Sequence, residues 1–311
     1  MSNEGSEALL GLLSRVFEVD EDIDGLVYLD IQKIFYYLRE RLDEDNEVRE
    51  LLPYYWYIDG VVSDTVQGTV NLGRESGVLA TEATYGTGNG EWFERREEYT
   101  PSSLQVDRED YRDAEEALEV VLEEDYNVFS GYEEKLDDIY SRAPYDFQSY
   151  YKFEVLAEIG LFAQGKPWAY PPEKLQSLVS TAEAYLPLTT AFEDFNSVFS
   201  RYVNVSKQYF EAVDEEERAL ADRFNQLSEN IWRLYCQRLR IEEHDPYYES
   251  KLELWEERYD RTEKLVISDI REFRQLVETE FETNTTSHKS SEDSAWGKIA
   301  YDYVRNSEAD D

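Results

Sequence analysis

Leu51-Leu-Pro-Tyr-Tyr-Trp-Tyr-Ile-Asp-Gly60 opens a stretch running to Gly90 with only five charged residues (Asp59, Asp64, Arg74, Glu75 and Glu82), in a chain where 32% of residues are charged. Leu51 to Gly60 reads as an extended or turn segment. Ser63 or Asp64 can cap a helix that runs to about Ser76, and Gly77 can end it. Val78 to Tyr85 and Glu91 to Tyr99 alternate like strands on either side of Gly86-Thr-Gly-Asn-Gly90, whose residues accept positive φ. A β-hairpin with that loop as its tip is predicted. The loop lacks the Gly-Lys-Ser/Thr ending and the strand-to-helix setting of a phosphate or dinucleotide site.

Upstream, residues 6–19 repeat apolar positions at helical spacing, and Val27, Ile31, Ile34, Phe35, Leu38 and Leu42 fall on one helical stripe. Helix, helix, helix and hairpin is the order of a winged helix-turn-helix. The run Leu26-Val-Tyr-Leu-Asp-Ile-Gln-Lys-Ile-Phe-Tyr-Tyr-Leu38, with Tyr55-Trp-Tyr-Ile-Asp-Gly60 and Val62-Ser-Asp-Thr-Val66, carries a resemblance. Residues 26–99 resemble the N-terminal part of Panacea-domain proteins, the SocA-like antitoxins and their archaeal relatives. Those have an apolar Lys-Leu-x-Tyr helix, a Trp-x-Tyr-Gly-Pro turn and a following helix; Ile58-Asp59-Gly60-Val61 stands here where the family has Tyr-Gly-Pro. The resemblance implies a regulatory or antitoxin-like module.

Downstream, Asp110 to Leu122 forms an amphipathic helix with Tyr111, Ala114, Ala117, Leu118 and Val121 as its apolar side. Pro144–Pro172 is a second charge-poor region, rich in aromatic residues, with a helix ending near Gly160 to Gly165; Pro171-Pro172-Glu173 starts another helix with proline in the first turn. Phe192, Phe195, Phe199, Tyr202, Tyr209 and Val213, then Leu220, Phe224, Leu227, Ile231, Leu234 and Ile241, recur at three- and four-residue spacing as heptad-like seams. Asp245-Pro246 caps a last long helix carrying Leu252, Trp255, Tyr259, Val266, Ile270, Phe273 and Leu276. The expected fold is mainly α. It comprises a winged-helix-like domain with one β-hairpin over residues 1–125 and an antiparallel helical bundle or coiled-coil arm over 126–282. A polar linker over 283–294 and a C-terminal docking helix over 295–306, bearing Trp296, follow.

The formal charge is −39, from 70 acidic against 31 basic residues, spread along the whole chain. At about 1 M salt the Debye length falls to about 3 Å and this self-repulsion is screened. The composition therefore predicts a cytoplasm holding molar salt, that of a halophilic archaeon. Disorder is excluded, because 14% of residues are aromatic, including 25 Tyr. No signal peptide and no membrane-length apolar run is visible, so a cytoplasmic protein with no membrane partner is expected. The lone Cys236 sits in an apolar stretch and reads as a small buried hydrophobe.

Little in this sequence suits catalysis. Glu242-Glu-His-Asp245, with Glu249 one turn further on, is the one string with metal-ligand character. Acidic strings are so common here that a solvated helix end is the simpler reading, so no metal, no cofactor and no enzyme activity is expected, and a metal-dependent enzyme is left as a third alternative only if His244 holds a metal. Where an acidic chain omits charge, its surface is covered. Tyr54, Tyr55, Trp56, Tyr57, Tyr150, Tyr151, Trp168 and Trp296 are accordingly the candidate contacts for a protein partner or a second copy of the chain. DNA is the alternative partner, read by Gln67, Asn71 and Arg74 on the helix and by Trp92, Arg95 and Arg96 on the hairpin.

Overall fold

In the computed structural model the chain is mainly helical, as expected, and divides into two compact units, 1–144 with 236–259 and 145–235 with 260–311. The structure describes residues 4–20, 22–83, 91–101, 104, 106–166, 168–213 and 219–307, and their side chains except at 4–6, 82–83, 132–133 and 282–307. Two units were expected with a division near residue 125; the first instead reaches Pro144 and includes Cys236–Tyr259.

The first unit opens with α1 (Glu4–Val19), whose Ala8, Leu9, Leu12, Leu13 and Val16 are buried. There follow β1 (Leu26–Val27), α2 (Tyr28–Arg41) and the short α3 (Glu47–Glu50), then β2 (Tyr55–Tyr57), β3 (Gly60–Val62) and α4 (Asp64–Glu75). Next come β4 (Leu79–Ala83), β5 (Glu91–Arg95) and α5 (Arg108–Val120). The sheet has the antiparallel order β1-β5-β4, with Phe93 opposite both Leu26 and Thr81. Val27 corrects the sequence reading, since it lies in β1 opposite Trp92 rather than on the helical stripe. Its backbone N–H donates to the Asp30 carboxylate (3.1 Å), which closes the first turn of α2 one residue later.

The segment expected as merely extended holds a second hairpin. Tyr55 pairs with Val62 and Tyr57 with Gly60, around a turn at Ile58-Asp59. Gly60 has φ +95°, and a Cβ there would sit 2.6 Å from Ile139 and 2.8 Å from the Lys33 amine, so only glycine fits. The helix α4 begins and ends where its punctuation indicates: the Ser63 hydroxyl accepts from the Val66 N–H at 3.5 Å, and Gly77 takes φ +79°. Val66, Thr69, Val70 and Gly73 form its buried face, leaving Gln67, Asn71 and Arg74 exposed. The strands of the first predicted hairpin pair as expected, whereas its tip, Gly86 to Gly90, lies outside the described residues. Beyond α5 a π-helical turn (Val121–Asp125) leads to α6 (Tyr132–Tyr140).

The second unit contains α7 (Asp146–Ser149), a π-helical segment (Tyr150–Leu156) and α8 (Ala157–Ala163), which follow one another as a single helical run. Then come α9 (Pro172–Ala182) and α10 (Glu193–Ala212), with α11 (Ala221–Glu242) up to Tyr235 and α12 (Leu252–Ser307) from Asp260. The predicted seams are its core: Phe192, Phe195, Phe199, Tyr202, Tyr209, Phe224, Ile231 and Leu234 are all buried. Aromatic rings replace aliphatic side chains there, with Phe147 against Tyr235 at 4.6 Å and Tyr202 stacked on Phe224 at 5.7 Å. Ser228 meets the buried hydroxyls of Tyr151 and Tyr202. Its carbonyl accepts from Tyr151 (3.1 Å) and its side chain shares a hydrogen bond with Tyr202 (2.8 Å). The expected linker and docking helix, Trp296 included, fall where α12 is helical to Ser307 but side chains lie outside the described residues. Among the described residues no helix is long and apolar enough to cross a membrane.

Candidate functional site

Within one turn of α2 lie three buried polar side chains, Asp30, Gln32 and Lys33, and each holds a different part of the first unit. Asp30 accepts from Tyr126 (2.7 Å) and Lys135 (2.6 Å) as well as from Val27. Gln32 accepts from the Ser63 N–H (2.9 Å) and donates to the Ser63 carbonyl (3.1 Å) and the Tyr28 hydroxyl. It thereby sets where α4 starts. Lys33 is fully buried, and its amine donates to the carbonyls of Asp59 (2.8 Å) and Val61 (3.2 Å), clasping the β2–β3 turn. Burial pushes the Lys33 amine down to about 7. A neutral amine carries two N–H groups, and two carbonyls meet them.

The other edge of β2 is covered by the segment that follows α11. Trp56 N–H donates to the Glu243 carbonyl (3.1 Å), Asp245 N–H donates to the Tyr54 carbonyl (2.9 Å), and Tyr55 stands opposite His244. Edge pairing of this kind satisfies backbone groups that a half-buried strand would otherwise leave open. The Asp245 carboxylate then caps the turn Pro246–Lys251 through the Tyr247 N–H (3.0 Å), where the sequence places a cap and a first-turn proline. Tyr248 donates to the Pro53 carbonyl (3.1 Å) and accepts from the Asp64 N–H (3.0 Å), while Lys251 pairs with the Asp64 carboxylate. The Arg240 guanidinium is boxed by aromatic rings, 4.5 Å from the centroid of Trp255 and 4.9 Å from that of Tyr57. Burial presses its pKa downward.

Beside this strand lies a cleft of about 320 Å³, all within the first unit, whose walls include Tyr36, Trp56, Arg39, Glu40, Glu243 and His244. Tyr36 and Trp56 are half-buried, and the Tyr36 ring meets Tyr54 edge-on at 5.4 Å. Arg39 binds Asp245 (3.0 Å) and Glu40 (3.4 Å). His244 Nδ1 and Arg39 Nε are buried without a hydrogen-bond partner.

The predicted contact residues divide sharply by burial. Tyr54, Tyr55 and Tyr151 are buried inside their own units, so internal packing accounts for the missing charge around them. Trp56, Tyr57 and Tyr150 are half-buried, Tyr150 being stacked on Tyr185 at 4.6 Å. Trp168 is 66% exposed. The nucleic-acid set divides as well. Gln67, Asn71, Arg74 and Arg96 are exposed, with Arg74 3.5 Å from Glu91. Arg95 donates to the Ser14 carbonyl (3.3 Å) and pairs with Glu18 (3.1 Å), and Trp92 packs over Gly25. Among the described residues no group of three or more His, Cys, Asp or Glu is arranged to hold a metal ion. Sequence reasoning missed Lys33, Arg240 and Tyr248, because burial of a charged or hydroxylated side chain depends on partners far along the chain. Comparison with protein-family models, curated proteins and solved structures finds no match to this chain.

Proposed function

We propose that the protein is a non-catalytic interaction module of regulatory or antitoxin-like type. In this reading the first unit is a winged-helix-type domain, the second a helical bundle, and the partner another protein. Leaving aside α3 and the β2–β3 hairpin that stand between α2 and α4, the order α1-β1-α2-α4-β4-β5 with sheet order β1-β5-β4 supports the domain reading. So does the resemblance of residues 26–99 to the Panacea-domain proteins. The observation that carries the partner reading is the outer face of α4. In a chain of net charge −39, it presents Gln67 and Asn71 fully and Leu72 partly, with acids only at its ends, Asp64 and Glu75. A face whose middle is left without carboxylates in so acidic a chain is suited to contact, since carboxylates at an interface core would have to be desolvated.

DNA is the second reading, favoured by the placement of Gln67, Asn71 and Arg74 along one exposed helical face ahead of a hairpin. With Arg95 paired to Glu18, the exposed cations on that surface are Arg74 and Arg96, a small set for phosphate contacts.

One experiment separates the readings. The tagged chain and its Gln67→Glu/Asn71→Glu variant are used for affinity capture in multimolar KCl and for anisotropy titration of a labelled random duplex. A stoichiometric protein recovered by the wild type and lost by the variant, with no duplex binding by either, is expected. Duplex binding that the variant loses would establish the DNA reading instead, and a strict monomer that captures nothing would remove the partner reading.

A further inference from the structure

We propose that α12 pairs antiparallel with the α12 of a second copy of this chain, about a two-fold axis at Leu265. Scattered exposed leucines are ordinary on a protein surface, whereas evenly spaced ones are not. Among the described residues, the large apolar side chains exposed on α12 are Leu254, Leu265 and Leu276, eleven residues apart each time. Three helical turns take about 10.8 residues, so these leucines share one face of the helix over about 33 Å. Two nearly straight helices can follow such a repeat with little supercoil. Another face serves the core, where Val266, Ile270, Phe273 and Val277 are buried. Leu276, expected from the sequence among the core positions of this helix, is 41% exposed, and Val277 is buried in its place.

The charges between the leucines say what covers them. In an antiparallel pair with two-fold symmetry, a residue that stands some number of positions before Leu265 lies opposite the residue equally far after it. Leu254 then meets Leu276, and Leu265 meets itself. Arg258, seven positions before, meets Glu272, and Arg261, four before, meets Asp269. Along this face apolar opposes apolar and cation opposes acid, a match that a chain with 70 acidic and 31 basic residues does not supply by composition. A parallel pair would set each arginine against itself, at a cost in like-charge repulsion. Arg258, Arg261 and Glu272 are exposed and Asp269 is half-buried. Asp269 and Glu272 accept from uncharged groups, the Asn230 amide (3.2 Å) and the Ser268 hydroxyl (3.4 Å), and the second copy brings each of them a cation. Burial of the leucines supplies affinity, and the order of charges supplies direction. Molar salt screens the long-range repulsion between two chains of net charge −39 more than it screens contacts inside the interface. None of these residues belongs to the outer face of α4, and the pairing is independent of any partner held there.

Sedimentation equilibrium of the full chain in multimolar KCl tests the pairing, and a monomer–dimer equilibrium is expected. Leu265→Asp, which sets two carboxylates face to face on the axis, should raise the dissociation constant by about tenfold or more. Arg258→Glu/Arg261→Glu and Asp269→Arg/Glu272→Arg should each weaken self-association by about tenfold, and an equimolar mixture of the two should recover the dimer as a heterodimer. Leu254→Cys should form a disulfide with Leu276→Cys under mild oxidation and none with itself, the native Cys236 being buried. Far-UV circular dichroism and the thermal midpoint of each variant establish that it is folded. A wild type that stays monomeric to about 0.1 mM, a dimer unchanged in a folded Leu265→Asp, charge-reversed variants that do not pair when mixed, or a Leu254→Cys chain that links to itself would each overturn the proposal.

Discussion

Lys33 is the residue at which the physics of this protein is most exposed. In the unfolded chain its amine holds a proton up to its ordinary value of 10.5, whereas in the native protein it does so only to about 7. Between those limits the unfolded state binds more protons, so native stability rises with pH. The penalty is fully present below about 7 and has vanished above 10.5. The limiting slope is about 1.4 kcal/mol per pH unit. Tyr55 and Tyr126, which burial raises well above the ordinary 10.0, oppose this only at higher pH. Urea denaturation between about pH 7 and pH 9.5 should therefore show wild type gaining stability relative to Lys33→Met. Parallel curves for the two proteins would mean that the buried amine is not neutral.

At the scale of elements, α4 is positioned from outside itself. Its own cap, Ser63 to Val66, is long at 3.5 Å, while Gln32 satisfies both the N–H and the carbonyl of Ser63. Gln32→Met leaves the Ser63 N–H buried and unpaired, while the Ser63 carbonyl keeps the Gln67 N–H (3.1 Å), and a loss of about 1–3 kcal/mol in unfolding free energy is expected. Ser63→Ala should cost less, about 0.5–1 kcal/mol. If the two variants proved equal in chemical denaturation, the cap and not α2 would set the start of α4. This element shows what could be read in advance. Ser63 and Gly77 are local punctuation, and their roles are plain in the sequence. Leu26-Val27 is too short to have a period, so it reads as part of the neighbouring helical stripe. The β2–β3 hairpin was hidden because the residues that cover it, Glu243 to Asp245, lie far along the chain.

At the scale of the whole molecule, electrostatic repulsion governs how the protein responds to its medium. With a net charge of −39, that repulsion acts on the native state until salt screens it. The Debye length falls from about 10 Å at 0.1 M to about 3 Å at 1 M, which is within the spacing of neighbouring surface carboxylates. The thermal midpoint should climb steeply with KCl over that range and flatten beyond it. A midpoint independent of salt would refute the high-salt reading of the composition. Part of the aromatic excess is accounted for by burial, since Phe147, Tyr151, Tyr202 and Tyr235 fill the core of the second unit. Aromatic content alone therefore marked the core and the surface together, and could not separate Tyr55 from Trp56.

Periodicity, capping residues and charge count are properties of neighbouring positions, and they determined the helical class, the bounds of α4, the strands β4 and β5 and the seams of the second unit. The cleft is of another kind. Trp56 was legible as an aromatic in a charge-poor run, and His244 as a polar residue at a helix break. That they share a wall with Tyr36, Arg39 and Glu243 was decided only when β2 paired with residues 243–245. Local propensity sets which elements form, because it acts through adjacent backbone groups. Which buried charge meets which carbonyl is set by desolvation and packing between distant segments, and those exist only in the folded chain.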